Sequence, residues 1–221
     1  MQKTNLLKSL FVVTAMSVLP NVALSQITVY TTLASYLAAI TNPGTDTYAG
    51  FSTTSATASP IVRSAGSYTY TAMTSADGFL GAGSPANLWL STNTVTDAIT
   101  FSGFTAGVKG VGGNFFGSNL QGTFQSGDIK VAATDASGTT TLVILGATTS
   151  SFLGFVTAGT AFTNVQVSAN QPVGATLWPT VDNLVLGQSP SSTMTPEPAT
   201  LVLLGAGFAC LAVVSRRRRM R

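Results

Sequence analysis

Two tryptophans, six aspartates and no histidine bound the chemistry open to this chain of 221 residues. Without imidazole there is no Ser-His-Asp or Cys-His arrangement and no ordinary zinc site. The one cysteine, Cys210, lies in an apolar run near the C-terminus and reads as a small apolar filler, so the body carries no thiol nucleophile and no disulfide. No G-x-S-x-G elbow occurs, and "GVGGNFFG" misses the dinucleotide fingerprint because Phe115 stands where a glycine is required. Its glycines read instead as bulges or close strand packing.

What remains is sparse. A glycosidase would need two carboxylates, and Asp128 with Asp182 is the pair the arithmetic allows, against the ordinary reading of aspartates in turns and at strand ends. Lys109 or Lys130 beside a serine is the only Ser-Lys option, and both read as solvated strand lysines. Asp182 is the acid that stands out. It shares strand parity with Leu184 and Leu186 and is expected to point into the core, where a carboxylate must be paired, hydrogen-bonded or metal-bound. With Asn183 it forms a candidate calcium site, the only cofactor the sequence suggests; backbone N–H groups are the simpler partners. Trp89, in "NLWLS", and Trp178, in "GATLWPT", are the candidate sugar-stacking residues, each weighed against core filling.

The elements that must position these residues are short. Only 8% of the chain is charged, against about 25% in a typical soluble domain. Between Gln26 and Gln188 three bases (Arg63, Lys109, Lys130) meet six acids, which leaves −3, and no basic patch suited to nucleic acid is present. Ile27–Tyr30 reads as a strand. Leu33, Tyr36, Leu37 and Ile40 then fall at helical spacing, with Thr31 or Thr32 as cap and Asn42-Pro43-Gly44 as terminator. Beyond it, β-branched and aromatic runs alternate with turn residues: Tyr68–Ala72, Leu88–Ser91, Ala98–Phe101, Gly110–Phe116, Asp128–Thr134, Thr140–Leu145, Ser151–Val156, Asn164–Ala169 and Val181–Leu186. The expected fold is all-β, an antiparallel two-sheet β-sandwich of jelly-roll type with one short N-terminal helix.

Both ends read as processing segments. Residues 1–25 have the basic start, apolar stretch and small residues at Ala23 and Ser25 of a signal peptide for signal peptidase. The secreted domain is then 26–187, with a polar linker over 188–195. From Ala199 to Ser215 the chain is apolar or small, about 25 Å as a helix, a short transmembrane span. Arg216, Arg217, Arg218 and Arg219 follow as the membrane stop signal and hold the tail in the cytoplasm.

Pro196-Glu197-Pro198, the apolar run and the arginines, over residues 196–221, closely resemble the PEP-CTERM sorting signal of Gram-negative bacteria. The resemblance implies an exosortase as partner, with Pro196, Glu197 and Pro198 as its recognition element, and an inner-membrane-anchored precursor delivered to the cell surface or beyond. The body, with "LASYLAAI", "SFLGFV" and "VDNLVLG", is similar to ectodomains of such proteins. The expectation is an exported, non-catalytic surface or extracellular-matrix protein associated with exopolysaccharide or biofilm. A carbohydrate-binding module is the alternative, and a glycan-active enzyme stands third.

Overall fold

The computed structural model describes residues 27–76, 78–190, 205–207 and 216. Strands β1 (Ile27–Tyr30), β2 (Thr41–Asp46), β5 (Phe79–Ser84), β6 (Asn87–Thr92), β8 (Gly110–Ser118), β9 (Phe124–Gln125), β12 (Phe152–Thr157) and β14 (Trp178–Gln188) form one antiparallel sheet. Its order is β1-β12-β8-β14-β6-β5, with β2 also on β14 and β9 also on β8. Strands β3 (Ile61–Ala65), β4 (Tyr68–Met73), β7 (Ile99–Ser102), β10 (Gly127–Asp135), β11 (Gly138–Ala147) and β13 (Asn164–Ala169) form the second sheet, ordered β11-β10-β13-β7-β4-β3. The two-sheet antiparallel sandwich read from the sequence is what the chain forms.

Alternation builds the core. In β13, Val165 and Val167 are buried between solvated neighbours, and in β10 Ile129, Val131 and Ala133 do the same. They meet Phe115, Phe155, Leu184 and Leu186 of the facing sheet in one cluster. Asp135 to Gly138 closes the β10–β11 hairpin as expected.

A smaller cluster lies on the outer face of the larger sheet, under helix α1 (Leu33–Ala38). Thr32 caps α1, its Oγ1 accepting from the Ser35 amide at 3.2 Å. The helix is shorter than the periodicity predicts: Leu33 and Leu37 are exposed, only Tyr36 of the helix is buried, and Ile40 is buried beyond its end. Asn42-Pro43-Gly44 does not terminate the helix; it lies inside β2. The reason is the floor beneath. A Cβ on Gly154 would come within 2.5 Å of the Tyr36 ring, and one on Gly187 within 2.5 Å of Ile40. The glycines admit two large side chains and no more, and the Tyr36 hydroxyl donates to the Val185 carbonyl at 2.9 Å.

The two sheets are tied together at one polar node. Asp46, at the end of β2, accepts from Arg63 Nε and Nη2 of β3, each at 2.6 Å, from the Tyr70 hydroxyl of β4 at 2.7 Å and from the Tyr48 amide at 2.8 Å. The guanidinium also lies 4.8 Å from the Phe51 ring centroid. Asp46→Ala leaves a half-buried guanidinium and a buried tyrosine hydroxyl without the carboxylate and is expected to cost about 2–4 kcal/mol, read as a lower urea midpoint at unchanged slope.

No helix among the described residues is long and apolar enough to cross a membrane. Residues 205–207 and 216 are helical. The rest of the 199–215 span, like the 1–25 leader, lies outside the described residues.

Candidate functional site

Asp182 sits where β14 changes partner. Thr180 and Val181 pair with Ser91 and Leu90 of β6, whereas Leu184 onward pairs with Asp46 and its neighbours in β2. Between them Asn183 takes a left-handed φ of 50°, and the register against β8 shifts between Asp182 and Val185. This is a β-bulge, and it resets the alternation. Val181, Leu184 and Leu186 all join the core between the sheets, while Val185 joins the outer cluster with Tyr36. Asp182 alternates with Val181 and therefore faces outward. The shared parity with Leu184 and Leu186 is broken, so the expected core-facing carboxylate is corrected to one on the opposite face.

Asp182 is buried there all the same, at 7% exposure. Its Oδ2 accepts from Asn183 Nδ2 at 2.8 Å, and its Oδ1 is buried with no partner among the described residues. Burial pushes its pKa up and the backbone N–H of Asn183 pulls it only part of the way back.

Trp89 stands opposite Asp182 when the β6–β14 register is continued by one pair, and on the same face. Its ring packs edge-on to Phe116, centroids 4.9 Å apart at 90°, and a Cβ on Gly83 would fall 3.0 Å from it. Its Nε1 is buried without a partner among the described residues. Trp89 is thus packed into the outer layer rather than presented as a platform.

Trp178, the first residue of β14, lies on this face four residues back. It lines a small solvent-open cleft of about 70 Å³ with Leu80, Ser91, Asn93, Ser118 and Leu120. The floor is a hydroxyl chain: Thr180 Oγ1 donates to Ser118 Oγ at 2.8 Å and Ser91 Oγ to the Pro179 carbonyl at 3.2 Å. Leu120 stands exposed at the rim. A second opening of about 390 Å³ occupies the fork between β2 and β6, lined by Thr47, Gly50, Pro85, Asn87, Leu88 and Asn183. Trp178 lines the first cleft and Asn183 the fork, with Asp182 beside Asn183 in the strand.

The other carboxylates hold loops. Burial pushes Asp97 up, but hydrogen bonds from Ser75 and the Ala76 amide outweigh it and lower its pKa. Asp135 is lowered in the same way by Ser137 and Thr157. Asp128 accepts from the Gly146 amide at 2.9 Å and belongs to the sheet opposite Asp182. Lys109 Nζ donates to the Gly159 carbonyl, and Lys130 is exposed. Asp46 and Arg63 escaped the sequence reading, although Arg63 is the only arginine between Gln26 and Gln188. No group of three or more Asp, Glu, Cys or His gathers among the described residues, and the residues that line the fork, Thr47, Asn87 and Asn183 among them, include no carboxylate for an ion that takes about six to eight oxygens.

A carboxyl group whose folded pKa is raised favours folding most when protonated. Stability therefore falls as pH rises from the unfolded value of about 3.9 through the folded one. Asp182→Asn is expected to raise the melting temperature at pH 7, the gain vanishing below about pH 4. A loss at pH 7 matched by EDTA treatment of the parent protein would instead mean that a cation holds the carboxylate ionised.

Pro196, Glu197, Pro198 and Arg217 to Arg219 lie outside the described residues; Arg216 is exposed and helical. No curated protein and no solved structure matches the chain. One family model does, that of the PEP-CTERM protein-sorting motif, over residues 195–219, which takes in the Pro-Glu-Pro tripeptide and Arg216 to Arg219. The match implies a membrane-anchored precursor that is exported to the cell surface and processed by an exosortase. The chain thus ends in a PEP-CTERM protein-sorting motif joined by a short polar stretch to an antiparallel β-sandwich.

Proposed function

We propose that this chain is an exosortase-processed cargo whose sandwich serves at the cell surface or in the extracellular matrix, in contact with exopolysaccharide or biofilm, without catalysing a reaction. The observation that carries the reading is the sorting motif at residues 195–219. The use of the body's carboxylates supports it: Asp46, Asp97 and Asp135 all accept hydrogen bonds that fix strands and loops. Expressed in cells that possess an exosortase, the chain is expected to be recovered without its apolar tail, and Pro196→Ala with Glu197→Ala to retain it. Mass spectrometry of the secreted and membrane fractions reads the outcome. A tail kept in the unmutated protein would make it a permanent single-pass anchor.

The Trp178 cleft favours a second reading, a carbohydrate-binding module. An indole wall beside hydroxyl and amide groups is what a sugar ring asks for, the apolar face of the ring stacking and its hydroxyls exchanging hydrogen bonds. On a polysaccharide array the full chain is expected to bind, and Trp178→Ala to lose at least about tenfold in affinity, the loss of about 1.4 kcal/mol that stacking supplies. Trp89→Ala is expected to lower stability instead, because that ring fills space against Phe116. A blank array leaves a structural cargo.

A further inference from the structure

Sheet edges are where a β-sandwich is exposed to other chains, and this one treats its edges unequally. In the larger sheet β1 has four residues and β9 two, too short to template much. The outer amides of β5 are all engaged: Phe79 N donates to Thr57 O at 2.8 Å, Gly81 N to Ser52 O at 2.7 Å and Gly83 N to Gly122 O at 2.8 Å. Edge strand β2 contains Pro43 and packs against the β3–β4 turn, where a Cβ on Gly44 would lie 2.2 Å from the Ala65 carbonyl oxygen. In the smaller sheet β3 follows Pro60 and turns the charge of Arg63 inward. Each is a recognised device against edge-to-edge pairing.

The remaining edge, β11, has none of them over Thr139 to Leu145; its bulge lies at the far end, beside Gly146. It is ten residues long, and from Thr139 to Leu145 it reads TTTLVIL, without charge, proline or glycine. That window combines high β-propensity with neutrality, the composition that pairs with itself. Among the described residues, Thr139 to Leu145 make no backbone hydrogen bond beyond their ladder with β10. Leu142 and Ile144 pack on the core, while Val143 and Leu145 face outward, Leu145 at 77% exposure.

We infer that β11 pairs antiparallel with β11 of a second copy of this chain, extending the smaller sheet across a twofold axis at Val143. An interface of this kind must suit itself, and a strand without charge meets no repulsion from its own copy. The axis at Val143 sets Leu142 against Ile144 and Thr141 against Leu145, so the core-side apolar residues stay on one face, and the β-branched Val143 meets its own copy. Exosortase cargo that joins edge to edge would be displayed in pairs.

A cysteine scan tests this, because the body has none of its own. In full-length chain carrying Cys210→Ala, solubilised in mild detergent and oxidised in air, Val143→Cys brings two thiols onto the axis, where paired strands place Cα atoms about 4.5–5.5 Å apart, within disulfide reach. Val62→Cys, at 76% exposure on the opposite edge of the same sheet, is the control. Disulfide-linked dimer from Val143→Cys is expected to exceed that from Val62→Cys by about tenfold, the gain of an intramolecular over a collisional encounter. In parallel, Val143→Lys sets like charges face to face on a solvated strand position and is expected to shift the sedimenting species from dimer to monomer with an unchanged circular dichroism spectrum. Equal dimer from the two cysteine variants, or sedimentation unchanged by Val143→Lys, overturns the inference.

Discussion

The Asp46–Arg63 pair is the constraint on which the rest of the sandwich depends. It is the one salt bridge among the described residues, and it joins a strand of one sheet to a strand of the other. Tyr70 and the Tyr48 amide complete the coordination of the carboxylate, and aromatic rings flank the guanidinium, so the cost of burying two charges is offset by directed partners on every side. Nearby the backbones themselves touch: Gly44 meets Ala65 at a distance that no side chain could share. Fixing β2 there has a consequence in the strand beside it. β14 must leave β6 to pair with β2, and it does so through the bulge at Asn183. The outward turn of Asp182, its unpaired oxygen and the fork between β2 and β6 all follow from that exchange of partners.

The same dependence explains what could be read from the sequence. Strands that alternate on their own account, such as Asn164–Ala169 and Asp128–Thr134, were legible because each buries one face against a continuous core. TNPGTD and FLGAGS were not, because neither carries an apolar period; β2 is held by an ion pair and β5 by hydrogen bonds to loops at Ser52, Thr57 and Gly122. The helix was legible as an element but not in length, since its limit is set by glycines more than a hundred residues away on β12 and β14. At the site, parity gave Asp182 the wrong face because one left-handed residue is invisible to a period-two count. The two tryptophans look equivalent in sequence. Only the neighbours that enclose Trp89 and leave Trp178 beside a cleft tell them apart.

The scarcity of charge has a structural counterpart on the outer face of the smaller sheet. Reading across its strands, Thr71 is level with Ser102, then Asn164, Thr134 and Thr139. Along this row hydroxyls and one amide hydrate the face without charge, with the exposed Lys130 further along β10, and Thr134 and Thr139 bond to each other at 2.9 Å. A face built in this way exerts little long-range field. Its interactions are short-ranged and change little with ionic strength, unlike those of a charged patch. For an exported body, solubility from hydroxyls leaves contact to shape and hydrogen bonding. Among the described residues, opposite charges meet directly at one place, Asp46 with Arg63 between the sheets.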